Sequence, residues 1–478
     1  MKIKCLFFTV FLSLILGGAH SQQTKVSTSQ PYKSFGFRES RTFHLFGADK
    51  DNVYGILYNN TEYTKINVTA PVTIYKMPMD GGIVQKKVLK DLGKKCIISK
   101  AFVNENTIDL LIIKDFDGDL LHVCLDKKTL ERKQEDKKIG YYKGVSPEET
   151  WVAISNPNGD GTSTTNLYSS DFELIWSKNV SFSDIIDVMV TEDAEVILLG
   201  TSEKSGKEGF YFHIISEDNE EQFFVQMETD GIRNIRLANY KNGCIYAGGL
   251  TFHWSDEKNP KDRAVLYDGY YSMMFNTRTQ ESVIDKETFK KKDIDAIFNT
   301  RSGKDAENEA TLGHLPYAGK ISTPNVTALA FHYVPTVIYD GIFLHGGILF
   351  FGIGDDGKLA WKHVIRRWDK TSNEQYVNQD FFEYNGKACV VYEDNRYNGN
   401  EMNELEPVKV FRSAILPPAL YMVSVSKDGE AVKETLEKNS NKCLIAPSVQ
   451  NIDNGNRHFL IHMGSKSEIV TLENNTAK

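Results

Sequence analysis

Apolar and polar positions along this chain fall into short runs separated by tight turns. The unit is clearest from Gly347 to Ile365, GILFFGIGDDGKLAWKHVI. β-Branched and aromatic residues from Ile348 to Ile353 suit a buried pleated strand, and Gly354-Asp355-Asp356-Gly357 supplies the positive φ angles a hairpin turn needs. Leu359 to Ile365 is then the return strand. The same grammar starts at Val72, Asp119, Asn166, Gly209, Tyr270 and Ala419, so that with Gly347 the successive starts lie 47, 47, 43, 61, 77 and 72 residues apart. A period of roughly 40 to 50 residues with a hairpin inside it predicts propeller blades, and the longer gaps read as loop insertions.

Two further strands precede each repeated hairpin. Examples are DIIDVMV from Asp184 with EVILLGT from Glu195, KKCIISKAFV with TIDLLIIK, and QDFFEY with KACVVYE. Each unit therefore has four strands, A to D, with A innermost. A last set, KCLIAPSVQ, RHFLIHMG and SEIVTLE, has only three, so the other end of the chain must supply the fourth; Tyr32 to Phe37 is the expected segment. The expected fold is all-β: a seven- or eight-bladed β-propeller of four-stranded antiparallel blades over residues 41–478. It follows a signal peptide (1–21) and an N-terminal segment carrying the closing strand (22–40).

Antiparallel order makes a prediction that composition cannot. A-B and C-D turns fall on one face, and B-C and D-A connections on the other. The C-D turns are short, whereas the long insertions fall in B-C or D-A positions: 156–165, 252–263, 286–324, 366–376 and 393–418. One face should then collect the variable loops, the usual place for function on a rigid scaffold. The insertions of neighbouring units offer His253, Trp254, Arg301, His314, Tyr317, Arg366, Arg367, Trp368, Tyr376, Glu393, Asp394, Arg396 and Tyr397. Exposed aromatic and arginine residues mixed in this way suit sugar stacking, carboxylate binding or a protein contact. The competing reading has Trp254 and Trp368 covering the ends of the core and the charges solvated.

The net charge of −8 gives no basic footprint for nucleic acid. At the N-terminus, Lys2 and Lys4, an apolar run from Cys5 to Leu16 and the small-x-small site Ala19-His20-Ser21 read as a secretory signal peptide cut before Gln22. No later apolar run is long enough to span a membrane, so the expectation is a secreted or periplasmic protein. Cys96, Cys124, Cys244, Cys389 and Cys443 sit within apolar strands, without C-x-x-C or zinc-finger spacing. They read as buried thiols, with Cys96 and Cys124 the one pair placed for a disulfide. Sequons at Asn59, Asn67, Asn179, Asn325 and Asn474 would mark surface positions in a eukaryote.

Candidate chemistry is thin. Asp115-Phe116-Asp117-Gly118-Asp119 has calcium-loop spacing but lacks the bidentate Glu that closes such a loop, and Asn156 to Gly161 is weaker. His345-Gly346-Gly347 has the form of an esterase oxyanion turn, yet no G-x-S-x-G nucleophile elbow exists. Also absent are H-E-x-x-H, a P-loop and a dinucleotide fingerprint. Adjacent acids such as Glu393 and Asp394 are the remaining acid/base candidates. No cofactor and no metal site is therefore expected.

Asp355 to Lys362 (DDGKLAWK) and Asp171 to Lys178 (DFELIWSK) resemble the blade motif of quinoprotein-type propellers, in which a tryptophan docks one blade on the next; Trp361 and Trp176 carry it here. That family includes quinone-dependent dehydrogenases and non-catalytic outer-membrane assembly scaffolds, and its quinone site and calcium ligands do not map onto positions of this chain. Over roughly residues 40 to 475 the chain is also similar to secreted bacterial propeller-like proteins of unassigned function. The reading is a non-catalytic exported binding or scaffold protein holding a glycan, peptide or envelope partner. The alternative is a hydrolase or lyase acting on an extracellular polysaccharide. A His and a carboxyl, or two carboxyls, facing each other across the channel mouth would favour the enzyme, and a flat aromatic and arginine patch would favour binding.

Overall fold

A computed structural model of the protein describes residues 24–32, 42–58, 72–92, 96–114, 120–158, 162–181, 185–204, 207–226, 231–255, 265–299, 315–334, 343–371, 379–399, 402, 411–412, 418–437, 443–450, 454–463 and 466–474. Nearly all of the regular structure is strand. After the short β1 (Val26–Thr28), β2 (Thr42–Ala48), β3 (Asn52–Tyr58), β4 (Val72–Pro78) and β5 (Gln85–Leu89) form an antiparallel sheet in sequence order. Next come β6 (Cys96–Val103), β7 (Thr107–Lys114) and β8 (Leu120–Asp126), followed by β9 (Lys137–Val145), β10 (Trp151–Pro157), β11 (Ser163–Ser169) and β12 (Leu174–Val180). These seven are one hydrogen-bonded sheet because β9 is shared: Lys137, Lys138 and Gly140 pair with β8, while Tyr141 to Val145 pair with β10.

The pattern then repeats with β13 (Ile185–Val190), β14 (Val196–Lys204), β15 (Lys207–Ile215) and β16 (Glu220–Gln226). The next sheet is β17 (Ile232–Lys241), β18 (Cys244–Trp254), β19 (Val265–Asn276) and β20 (Ser282–Thr288). A short helix, α1 (Lys291–Ile297), leads to β21 (Tyr317–Ser322), β22 (Val326–His332), β23 (Phe343–His345), β24 (Ile348–Gly354), β25 (Leu359–Ile365) and β26 (Asp369–Thr371). Here β21, β22, β24 and β25 make the four-stranded sheet. Then come β27 (Gln379–Tyr384), β28 (Lys387–Asn395), β29 (Phe411–Arg412), β30 (Pro418–Val425) and β31 (Ala431–Glu437), with β27, β28, β30 and β31 in one sheet. The chain finishes on β32 (Cys443–Gln450), β33 (Arg457–Met463) and β34 (Lys466–Leu472).

These sheets are arranged as a β-propeller. First strands of neighbouring units touch one another in order, β2 meeting β6, β9 meeting β13, and β17 meeting β13 and β21, while the β6 and β9 units are joined by the β8–β9 pairing. The series continues from β21 to β27 and β32, and the ring returns from β32 to β2. Burial follows that geometry. β22 and β24, clamped between neighbouring sheets, are apolar and buried on both faces, whereas the outermost β20 alternates exposed and half-buried positions. Six of the seven hairpins read from the sequence are present as strand pairs; in the Asp119 unit the expected return strand is reduced to one Leu125↔Arg132 bridge, and β8 pairs with the start of β9 instead. In the Gly347 unit the turn is closed by Gly357 N–H donating to Gly354 O at 2.9 Å. Gly357 has φ +80, and a Cβ there would lie 2.4 Å from Met274 Cβ.

Closure comes from β1, which pairs with β34 through Val26↔Leu472, Ser27↔Thr471 and Thr28↔Val470. The fourth strand of the last sheet is thus supplied upstream of the Tyr32–Phe37 segment expected for it. Residues 33–37 lie outside the described residues. Tyr32 is buried against β2, β3 and β4, and its hydroxyl donates to Pro78 O at 2.7 Å.

The tryptophans act as blade docks. Trp176 on β12 donates its indole N–H to Ala194 O, in the β13-β14 turn of the next sheet, at 3.0 Å. Trp361 on β25 meets the β30-β31 turn of the following sheet at Gly429, where φ is +82 and an added Cβ would lie 2.8 Å from Trp361 Cβ. Cys96, Cys124, Cys244 and Cys389 are free thiols, so the Cys96–Cys124 disulfide is not formed.

Candidate binding face

β23, β26 and β29 belong to none of the four-stranded sheets. β23 arises between β22 and β24, β26 between β25 and β27, and β29 between β28 and β30. They join in a separate three-stranded sheet, β23 antiparallel to β26 and β26 parallel to β29. One D-A connection and two B-C connections, from two sheets, are thereby knitted together on the same side of the ring. His345-Gly346-Gly347 belongs to this packing. Gly346 N–H donates to Tyr333 O and Gly347 N–H to Ile297 O at the end of α1, so both amides are used structurally.

Several residues expected on an exposed patch are buried beside that accessory sheet. Arg366, Arg367, Glu393 and Asp394 are all at most 4% exposed. Arg366 and Arg367 follow β25 outside any strand, as expected, whereas Glu393 and Asp394 lie within β28; all four are buried under the connections beside them. Arg366 Nη1 donates to Asp295 O at 3.2 Å, and Arg367 Nη1 to Gln379 Oε1 at 3.0 Å. The Asp394 carboxylate accepts from Asn395 N–H and Asn398 Nδ2 and stands 3.8 Å from Lys433 Nζ. Lys433 lies 4.3 Å from the centre of the Tyr421 ring. Burial raises the Asp394 pKa against the pull of Lys433, and lowers that of Lys433 against the pull of Asp394. This is a buried ionic network holding the chain end of β28 in place.

The other expected residues divide. Trp368 is partly buried, stacked at 6.4 Å on Tyr333. Tyr317 is also partly buried, edge-on to Phe331, with the Arg236 guanidinium 5.2 Å from its ring centre. Arg396 and Tyr397 are exposed and lie against each other, Arg396 Nη2 donating to Tyr397 Oη at 2.7 Å. Arg301, His314 and Tyr376 lie outside the described residues, as does Asp115 to Asp119.

Trp254 is 46% exposed at the end of β18 and belongs to a cluster the sequence reading did not assemble. Arg233, at the start of β17, sits with its guanidinium carbon 5.0 Å from the Phe252 ring centre and 5.1 Å from that of Trp254. The two rings meet at 85°, forming a corner that fits the planar guanidinium. On the opposite face of the same sheet, His253 Nδ1 is 2.9 Å from Asp268 Oδ2, and Thr251 Oγ1 donates to Asp268 Oδ1 at 2.6 Å. Arg233 was missed because nothing local distinguishes it; a strand pairing brings it to Phe252 and Trp254.

Charged side chains also link the innermost strands. Asp187 on β13 accepts from Leu237 N–H on β17 at 2.8 Å, Arg236 on β17 donates to Ile186 O on β13 at 3.1 Å, and Lys320 on β21 donates to Leu237 O at 3.2 Å. An innermost strand has one unpaired edge, and these side chains satisfy it. Burial raises the Asp187 pKa against the Leu237 amide and the nearby Lys320 and Arg236 charges; desolvation lowers that of Lys320. Asp380 on β27 does the same for Ser448 N–H on β32, at 2.9 Å.

Among the described residues no set of three His, Cys, Asp or Glu side chains is placed to hold a metal ion, and no helix is long and apolar enough to cross a membrane.

No family model and no curated protein matches the chain. Solved structures similar to it include propellers. The Dos1 propeller is 9% identical with a TM-score of 0.46, over 94% of this chain and 96% of that one. A quinohemoprotein alcohol dehydrogenase from Pseudomonas putida HK5 is 10% identical with a TM-score of 0.42, over 96% and 78%. The β-propeller domain of the Trilobed protease from Pyrococcus furiosus is 11% identical with a TM-score of 0.39, over 84% and 99%.

Proposed function

We propose that the protein is an exported binding or scaffold protein, secreted or periplasmic, that holds a glycan or protein partner on the side of an eight-unit ring where the B-C and D-A connections lie. The observation that carries this reading is the Arg233 clamp. A half-exposed indole and a guanidinium already fixed between two rings lose little freedom when a ligand arrives, which is where affinity is usually spent. Arg396 and Tyr397 add a second exposed arginine-aromatic pair after β28. Export rests on the signal sequence of residues 1–21. The test is a glycan and pull-down screen with the mature chain: Trp254→Ala should lose capture while its thermal melt stays at the wild-type value, and unaltered capture would sink the assignment.

One observation favours the enzymatic alternative, a polysaccharide hydrolase or lyase. The His253 imidazole, more than half exposed, is oriented by a carboxylate that Thr251 fixes in turn, which is how a general base is held. Release of new saccharide ends by wild type but not by His253→Ala would support it.

A further inference from the structure

We infer that Arg233 and Trp254 form a subsite for an acidic saccharide, Arg233 taking the carboxylate and the open part of the Trp254 indole taking the C–H face of the sugar ring. This rests on the binding reading above and names its ligand class.

Three observations carry the inference. The first is that Arg233 is exposed and its guanidinium, although packed on two rings, makes no hydrogen bond or ion pair among the described residues. Other arginines are already committed: Arg236 to Ile186 O, Arg366 to Asp295 O, Arg367 to Gln379, Arg396 to Tyr397 and Arg457 to Ser448. Rings at 85° cannot both lie flat on one planar group, so the guanidinium stacks on at most one of them, and the N–H groups not turned to the rings are left to take a carboxylate in a bidentate fork.

The second is that the position is built. β17 pairs with β18 at Arg233↔Leu250 and resumes at Arg236↔Gly248, so the chain bulges between them. Asn234 in that bulge has φ +54, and its Nδ2 donates to Tyr267 Oη and to Leu315 O, both at 2.9 Å. The bulge is pinned to two other elements, and Arg233 is aimed from its edge. The nearby Asp268 is turned to the other face of the sheet, held by His253 and Thr251, and does not compete.

The third concerns the partner class. An acidic peptide adding as a strand needs an open edge, but β18 is paired with β19 as far as Trp254↔Val265, and Phe252 N–H donates to Gly231 O on its other side. Among the described residues, what remains open is an indole surface and a cation, which suits a ring carrying a carboxylate.

The test is calorimetry on the mature chain with polygalacturonate, alginate and hyaluronate, beside fully methyl-esterified polygalacturonate and poly-glutamate. Binding to at least one acidic glycan is expected. Masking the carboxylates as esters should weaken binding about tenfold or more, as should Arg233→Lys, which keeps the charge but loses the fork. The Arg233→Lys melt should match wild type. Equal binding of acid and ester, or an Arg233→Lys variant equal to wild type, overturns the inference while leaving a neutral-glycan protein standing. Arg233-dependent binding of poly-glutamate alone also overturns it, in favour of a peptide partner. Capture of neutral glycans unaffected by both Arg233→Lys and Trp254→Ala would remove the binding reading of this face as well.

Discussion

The Asp187 carboxylate on β13 accepts a hydrogen bond from the backbone N–H of Leu237 on β17 at 2.8 Å, joining the innermost strands of two neighbouring sheets. That amide lies on an edge with no strand beside it. Asp187→Ala should leave it without its partner and cost about 1–3 kcal/mol. Asp187→Asn, which still offers an oxygen, should cost less. Urea midpoints of the two variants check this, and equal midpoints would show the carboxylate oxygen to be irrelevant.

The buried charges at the end of β28 behave as a unit. Asp394→Ala leaves Lys433 and Arg367 buried beside a missing carboxylate and should cost about 3–5 kcal/mol. Lys433→Met added to Asp394→Ala should recover part of that loss, since the uncompensated ammonium is then gone. A double-mutant cycle in thermal or chemical denaturation measures it; strict additivity would mean the two do not interact.

Closure of the ring is testable at Tyr32, whose hydroxyl reaches Pro78 O from the segment that follows β1. Tyr32→Phe should cost about 1 kcal/mol. Tyr32→Ala, which empties a buried aromatic site between the chain's start and β2 to β4, should cost about 3–5 kcal/mol.

His458 sets a pH dependence. Burial, helped by the charge of Arg457, lowers its pKa to about 4, and its Nδ1 lies 2.9 Å from Thr471 Oγ1. The unfolded chain takes up this proton near pH 6.5 and the folded chain only near 4. Stability is therefore present above pH 6.5 and falls as the pH drops through that window, by about 3 kcal/mol from this residue. Denaturation midpoints between pH 7 and 4 should fall less steeply in His458→Asn.

The two tryptophans of the expected patch should separate. Trp368 stacks on Tyr333 and packs against the core cluster around Phe331 and Leu349, so Trp368→Ala should lower the melting temperature by several degrees. Trp254→Ala should leave the melt nearly unchanged. Only Trp254 is then a clean reporter of binding.

The hairpins were legible because their determinants are neighbours in the chain. In ILFFGIGDDGKLAWKHVI the apolar run, the Asp-Gly turn and the return strand all lie within one short window, and Trp176 and Trp361 announce docking in the same way. The four-strand grouping followed from counting such windows. What no window contains is the partner. That Val26–Thr28 rather than a later segment completes the last sheet depends on an edge left open at β34, more than four hundred residues away. Arg366, Arg367, Glu393 and Asp394 read as loop charges, yet they are buried because β23, β26 and β29, from three separate connections, pair beside them. Arg233 acquires its two rings only when β17 lies along β18. Local residue chemistry determined the strands and turns, and strand pairing between distant segments decided which charges are buried and which face the solvent.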